Sequence, residues 1–308
     1  MGAVTIRRGA RLPALLASVA IVALLGCGTP PEEPKQTVAP APAPSTPSEP
    51  PPDGMVRVPA GSVPRPGGPL QVAAFDLDVY EVTNRDFEAF AEATGFVTEA
   101  ENWGWSLVFH PQATADPESE QRVQGTPWWL AVDGAYWRQP RGPGSPADAD
   151  LPVVHVSWGD ARAYCEWRDK RLPTEAEWDL AAGGGNDGEG RAHYPWGDEP
   201  APEGRWVANV WQGDFPIQDD AADGHTYLAP VGSYPPNALG LFDLGGNVWE
   251  WCDDWYRPGG AGGEKVLKGG SWLCAASYCE GYRNANRNHS APDSGLDNTG
   301  FRCARSVQ

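Results

Sequence analysis

Arg171-Leu172-Pro173-Thr174-Glu175-Ala176-Glu177-Trp178 is the stretch on which the fold class turns. Thr174 with Glu177 three residues later is a capping box. The hydroxyl accepts from the backbone N–H at the third helical position, and the carboxylate reaches back to the N-cap N–H. The helix so started carries Trp178 and Ala181, and it is the last helix signal in the chain. From Gly183 onward Gly, Pro, Asn and Asp punctuate short strands and long loops. Upstream, Ser157 caps a helix with Trp158, Ala161 and Cys165 on one side. Before it, Thr83 caps another with Asp86 at its third position. Val82 is placed to staple onto Phe87; Phe87, Phe90 and Ala91 share a face, and Gly95 is the stop. Val56–Gly61 and Ala74–Tyr80 read as strands. No internal repeat occurs. The expectation is an α+β domain with little regular secondary structure.

The N-terminus reads as targeting and tether. Arg7, Arg8 and Arg11 form a basic region, and Leu15 to Leu25 an apolar one too short to span a bilayer comfortably. Leu24-Leu25-Gly26-Cys27 resembles a bacterial lipobox, which makes residues 1–26 a signal peptide and Cys27 the lipidated first residue of the mature protein. Thr29 to Pro52 holds ten prolines and almost no large apolar residue. Such a segment cannot bury a core and reads as a disordered spacer. The expected divisions are therefore 1–26, a linker over 27–54, and one domain over 55–308, on an exported, membrane-anchored lipoprotein.

The formal net charge of −18 becomes −21 once the three arginines of the first 26 residues are removed. That balance argues against nucleic acid as a partner, because phosphate contacts need basic patches. An acidic surface serves solubility and also suits calcium.

Cys274 and Cys279 carry the sharpest chemistry. They lie in Gly269-Gly270-Ser271-Trp272-Leu273-Cys274-Ala275-Ala276-Ser277-Tyr278-Cys279. Two thiols so spaced form a small-loop disulfide, or hold one soft metal between two sulfurs. Thiolates favour Cu(I) and zinc, but zinc needs three or four protein ligands, and no His or third Cys lies close by in sequence. A two-coordinate Cu(I) site or a redox-active pair stands beside a plain structural disulfide.

The run from Lys268 to Arg305 resembles the catalytic signature of the formylglycine-generating enzymes, or sulfatase-modifying factors. The matching pieces are Gly269-Gly270-Ser271, the Cys274/Cys279 pair, Tyr282-Arg283, Arg287, Pro292-Asp293-Ser294, and Asn298 with Gly300-Phe301-Arg302-Cys303. Upstream, His155-Val156-Ser157-Trp158, the Arg171–Trp178 stretch and Gly246-Asn247-Val248-Trp249-Glu250-Trp251 extend it to nearly everything from about Met55. The last two blocks are shared by non-oxidase relatives; the cysteine pair in its Gly-Gly-Ser frame sets the oxidases apart.

The resemblance implies the fold of that family, related to C-type lectin folds. It implies that Cys274 and Cys279 bind Cu(I), that a substrate cysteine adds as a third sulfur, and that dioxygen then oxidises it to Cα-formylglycine. Ser271 and Trp249 should line the site and Asn298 should lie near it. One implied calcium site comprises Asn209, Val210, Asp223 and His225, and a second comprises Asp243, Gly246, Val248 and Glu250. Arg283 and Arg287 match positions near a peptide groove, though they equally suit bracing of an acidic fold. Cys165 and Cys303 match a disulfide, and an exported location permits it. Cys252 is then left as a buried thiol beside Trp251 and Trp255, and Trp128-Trp129 reads as core. Trp105 and Ala275 depart from residues usual in relatives, and Asn284 stands where a further disulfide would need cysteine.

The function so implied is an oxygen-dependent oxidase that activates sulfatases. Its partners are an unfolded or nascent chain carrying a Cys-x-Pro-x-Arg motif, O2 and a thiol reductant. The alternative is a non-catalytic binding module on the same lipoprotein tether, since a scaffold does not fix function. An iron-dependent sulfoxide-forming relative is a third class, but it needs a His-rich site and the five His are widely spaced.

Overall fold

The computed structural model describes residues 53–114, 121–123, 125–183, 192–260 and 263–307. The expected signal peptide, Cys27 and all but the last two residues of the expected linker lie outside the described residues. Those last two, Asp53 and Gly54, belong to the domain. Gly54 accepts from the Val79 N–H at 2.9 Å, and Arg305 pairs with Asp53 at 2.8 Å.

Among the described residues four α-helices form, and a capping box starts each. They are α1 (Asn84–Thr94, Thr83/Asp86), α2 (Glu99–Trp103, Thr98/Glu101), α3 (Trp158–Trp167, Ser157/Asp160) and α4 (Glu175–Ala182, Thr174/Glu177). Three were expected. The short α2 escaped notice because five residues hold too few apolar positions to show a period, although Thr98-x-x-Glu101 announced it. Gly95 stops α1 with φ 68°, a left-handed conformation that glycine adopts without penalty.

The strands are short and gathered in small sheets, as an α+β chain of low regular content should show. Met55–Val58, Phe75–Asp78 and Ala304–Ser306 form one antiparallel sheet that joins the domain's two ends. Trp105–Phe109 pairs with Trp129–Asp133, which also pairs with Gln121–Arg122. The sheet that positions the site runs Asn288–Ser290, Lys265–Lys268, Trp249–Trp255, Thr299–Gly300, with its last pair parallel.

Strand alternation sorts the core around Trp249–Trp255. Trp249 and Trp251 enter one cluster with Phe87, Tyr164, Phe301 and the Cys165–Cys303 disulfide. Glu250 and Cys252 face the other side. There Cys252, a wholly buried free thiol, packs in the cluster of Val58, Phe75, Trp178 and Leu244. Cys252 thus shares no cluster with Trp251, which points the opposite way, and Trp255 is 45% exposed. The disulfide ties α3 to the last strand's approach with Cα atoms 5.7 Å apart.

Candidate active site

The site is built where the strand Lys265–Lys268 ends. Gly269 and Gly270 turn the chain with φ 91° and 77°. A Cβ on Gly270 would press on the Tyr282 N–H and Gly281, so only glycine lets the two segments meet. Ser271 follows, fully buried. Its Oγ accepts from Asn298 Nδ2 at 3.0 Å and from the Leu273 N–H at 3.3 Å. Asn298 is fixed in turn, because its carbonyl accepts from the Trp249 N–H at 2.9 Å beside the parallel pairing of Trp249 with Thr299.

Cys274 and Cys279 come from one tight turn. The Ala275 carbonyl accepts from the N–H groups of Tyr278, Cys279 and Glu280 at 3.0–3.2 Å. Their Cα atoms lie 5.4 Å apart and the structure joins the sulfurs. The pair therefore stands as a disulfide. A thiolate metal site requires its two-electron reduction first. Cys274 is 1% exposed, whereas Cys279 is half-buried at the cavity. Gly281 has no room for a side chain between the Trp249 ring and Cys274 Sγ.

The pair opens on a cavity of about 570 Å³ that Ser271, Trp249 and Asn298 also line. All five residues expected at the reaction centre therefore share one pocket. One wall is aromatic: Tyr278 stacks on Phe215 at 4.3 Å, and Trp128 meets both edge-on at 5.5 Å. Trp128 and Trp129 are thus half-buried cavity lining, not core. A Trp-Trp pair reads as core because indole area usually ends inside, but the turn that leads into the strand Trp129–Asp133 lies at the pocket edge. The opposite rim is polar, with Asn286, Arg287 and His289. Burial pushes the Tyr278 phenol above its ordinary range, so it is a neutral hydroxyl at the mouth.

The two arginines divide. Arg287 lines the cavity while pairing with Glu175 at 2.8 Å and lying 4.3 Å over the Tyr256 ring, so it braces and faces substrate space at once. Arg283 pairs with Glu280 at 2.9 Å and is not in this cavity. Both line a second cavity of about 540 Å³ with Arg65 and Lys268. Trp105 stacks on Trp103 at 5.7 Å, both partly exposed, and Ala275 is buried among Trp272 and Phe109.

Soft sulfur donors in a pocket with one open side suit Cu(I) with room for a further thiol. Among the described residues no group of three His, Cys, Asp or Glu is placed to hold a metal.

The calcium expectations concern mixed carboxylate and carbonyl sets. Asp223 lies against two of its expected partners. It accepts from the Val210 N–H at 2.9 Å and from the His225 N–H at 3.0 Å. The Val210 carbonyl accepts from Gln212, which also donates to Asp223. Asn209 spends its side-chain amide on the Tyr227 carbonyl and Asn247, and its carbonyl accepts from the Asn247 N–H beside Gly246, where a Cβ would collide. Hard oxygens of this kind are what calcium takes, but here the Asp223 carboxylate and the Asn209 and Val210 carbonyls already accept hydrogen bonds within the protein.

In the second set Glu250 is otherwise engaged. Both its oxygens accept from Arg302, and Trp178 Nε1 donates to one at 2.9 Å. Asp243 remains, accepting from the Gly232 N–H at 2.6 Å. Beside it the structure brings Glu81, which sequence reasoning missed. Glu81 accepts from Asn247 Nδ2 at 2.6 Å and from the Val248 N–H at 3.3 Å. Burial, then the Asp243 and Glu250 charges, push Glu81 well above the carboxylate range, and burial raises Asp243 to about 6. Three buried carboxylates thus share one guanidinium, and protonation of Glu81 relieves part of that imbalance. The lone signal for Glu81 in the sequence was a charged residue inside the otherwise apolar Val79–Val82 run.

A pocket built on paired sulfurs, walled by aromatics and set in an α+β scaffold of small sheets, defines a thiol-centred site of the sulfatase-modifying class. The model of the sulfatase-modifying factor enzyme 1-like domain matches residues 40–307, and the chain belongs to that family. It is 48% identical over 284 residues to the formylglycine-generating enzyme of Thermomonospora curvata, covering 82% of this chain and 93% of that one. It is 43% identical over 283 residues to the formylglycine-generating enzyme of Bos taurus, covering 82% and 75%. A Bos taurus protein named inactive C-alpha-formylglycine-generating enzyme 2 is 46% identical over 247 residues, 77% and 80%. Among solved structures, PvdO from Pseudomonas aeruginosa superposes with TM-score 0.55 at 25% identity, over 87% of this chain and all of that one.

Proposed function

We propose that this protein is a copper-dependent oxidase that converts a cysteine in a Cys-x-Pro-x-Arg segment of an unfolded sulfatase to Cα-formylglycine. The observation that carries this reading is the placement of Cys274 and Cys279 on a 570 Å³ cavity with Ser271, Trp249 and Asn298. The formylglycine-generating enzymes among its relatives support it. Reduced, the two sulfurs hold Cu(I), and the metal supplies the dioxygen chemistry. Trp249 closes the pocket beside Cys274, and the Ser271–Asn298 hydrogen bond holds a polar floor under it. The aromatic wall gives the entering thiol an apolar side to pack against.

Electrons and atoms balance with two reductant thiols. The substrate CH2–SH gives up two electrons and the reductant two, and O2 takes all four. One oxygen atom ends in the aldehyde and one in water, and the substrate sulfur leaves as hydrogen sulfide. Two buried carboxylates, Glu81 and Asp243, with the Asp223 group, hold calcium in this reading. The N-terminal lipid anchor places the enzyme on an exported membrane face, where it meets sulfatase chains before they fold.

The test is mass spectrometry of a Cys-x-Pro-x-Arg peptide incubated with the Cu(I)-loaded protein, oxygen and a thiol reductant. The aldehyde should appear, and Cys274→Ala and Cys279→Ala should each abolish it. The relative named inactive keeps a second reading alive, a tethered binding module. Peptide bound but unchanged, with no copper retained at the pair, would establish that reading instead.

A further inference from the structure

Each partner of the Asn298–Ser271 hydrogen bond has a chain neighbour that is wholly buried and outside the cavity lining: Asp297 on one side, Trp272 on the other. They meet around Phe109. Asp297 Oδ2 accepts from the Phe109 N–H at 2.9 Å, and the Phe109 ring meets Trp272 edge-on at 5.4 Å. Tyr227 packs against the other side of Trp272, ring centres 5.1 Å apart.

The polar atoms of this group are left over. Asp297 Oδ1, the Tyr227 hydroxyl and Trp272 Nε1 are all buried, and none makes a hydrogen bond within the protein. A buried donor or acceptor without a partner carries the full cost of its lost hydration, so three in one neighbourhood call for a polar guest. The set comprises an indole donor, a hydroxyl that works either way and a carboxyl oxygen. That is the complement of water, which needs two to four such partners. A metal cation would find only one carboxyl oxygen here, and the Arg141 guanidinium already lies 5.9 Å over the Tyr227 ring.

We propose that Asp297 is a positioning residue: with Tyr227 and Trp272 it encloses bound water behind the Ser271–Asn298 pair and so holds that pair in register with the cysteines. The water-filled chamber couples the two segments that carry Ser271 and Asn298, which are otherwise joined by one side-chain hydrogen bond. The carboxyl is in its acid form at neutral pH, because burial pushes Asp297 up to about 8. The ionisable and charged groups that face this cluster are Tyr227, itself raised chiefly by burial, and Arg141. An acid-form carboxyl donates and accepts, so it can order water that an ionised one, able only to accept, would reorient.

The kinetic arm of the test rests on the oxidase reading; the structural arm does not. A high-resolution crystal structure of the protein should show ordered water within hydrogen-bond reach of Asp297 Oδ1 and the Tyr227 hydroxyl. Asp297→Leu should lose it and displace Asn298. In turnover, Asp297→Leu should lower kcat about tenfold with the peptide KM nearly unchanged, the scale expected for one lost buried hydrogen-bond network. The wild-type kcat should decline as Asp297 ionises above about pH 8, and Asp297→Asn, which keeps the shape and an acceptor for Phe109, should restore most of kcat without that decline. Tyr227→Phe should fall between, and it keeps the test alive if the leucine variant does not fold. A dry chamber, or an Asp297→Leu enzyme with wild-type kcat and pH profile, overturns the proposal. If the wild type converts no peptide while the water and the Asn298 displacement are both seen, the oxidase reading fails and the positioning role stands.

Discussion

Arg302 grips Glu250 in the interior, Nε 2.9 Å from one carboxylate oxygen and a terminal nitrogen 2.7 Å from the other, with neither side chain exposed at all. The guanidinium also donates to the carbonyls of Val79 and Phe242 at 3.1 and 2.8 Å. It therefore ties the final segment to the first sheet and to the site strand. Removing one partner of such a pair leaves a charge buried without compensation. Arg302→Leu should cost about 3–5 kcal/mol in urea unfolding. Arg302→Lys should recover only part, because an ammonium cannot make the fork. A leucine variant within about 1 kcal/mol of wild type would show that the pair contributes no more than a surface bridge.

Calcium should act through the same neighbourhood. The Asp243 charge raises Glu81, the Glu250 charge raises Asp243, and burial favours the neutral form of both. A divalent ion bound beside them would reverse that preference and favour the folded state. Calcium at about 100 times its Kd should add about 2.7 kcal/mol, and a chelator should remove it. Asp243→Asn and Glu81→Gln should each blunt the response, seen as calcium-dependent shifts of Tm. A Tm indifferent to calcium and chelator alike would dismiss the site.

The two cysteine pairs should answer reductant differently. Cys165–Cys303 spans 138 residues between buried positions, and both sulfurs have no exposure. Cys279 is half-buried at the pocket. Mild reductant should therefore open Cys274–Cys279 first, with little loss of stability. Double replacement of Cys165 and Cys303 by Ser should cost about 3–5 kcal/mol, the loop-closure scale for so long a span. Thiol labelling followed by mass spectrometry would order the two; simultaneous opening contradicts this.

Much of the fold was legible because it is written locally. Thr83, Ser157 and Thr174 each announce a helix by a cap whose partner lies three residues on, and each helix begins where its cap says. The centre was legible through its residue pattern, since Ser271, Cys274 and Cys279 occupy nine consecutive positions. What escaped depends on contacts between distant segments. Trp128 reaches the pocket only because Trp129–Asp133 pairs with Trp105–Phe109. Glu81 joins Asp243 from 162 positions away, as their numbers show, and no local period marks either. The facing of Cys252 away from Trp251 follows from strand alternation, but only once a strand is known to run there.

Acid should unfold this protein through His155. The imidazole is wholly buried, with Nε2 2.7 Å from the Pro140 carbonyl and Nδ1 2.7 Å from Ser106 Oγ. A carbonyl can only accept, so Nε2 carries the proton and Nδ1 accepts from the serine. Burial lowers His155 to about 4, against the opposing pull of the Pro140 carbonyl. The folded state thus resists a proton that the unfolded chain takes up near 6.5. Stability from this group is intact above that value and is lost as pH falls from about 6.5 towards 4. His155→Gln keeps a donor for Pro140 and cannot titrate, so its unfolding midpoint should be flatter across that window than the wild type's. Measured by urea unfolding at half-unit pH steps, equal slopes for the two proteins would assign the acid sensitivity elsewhere. The segment at stake leads straight to Ser157 and α3, and the Ser106 hydroxyl, whose one proton goes to Nδ1 here, also lies 3.0 Å from the Gly295 carbonyl. Protonation of His155 should therefore loosen the approach to Asn298, and activity should fall on the acid side before the protein unfolds.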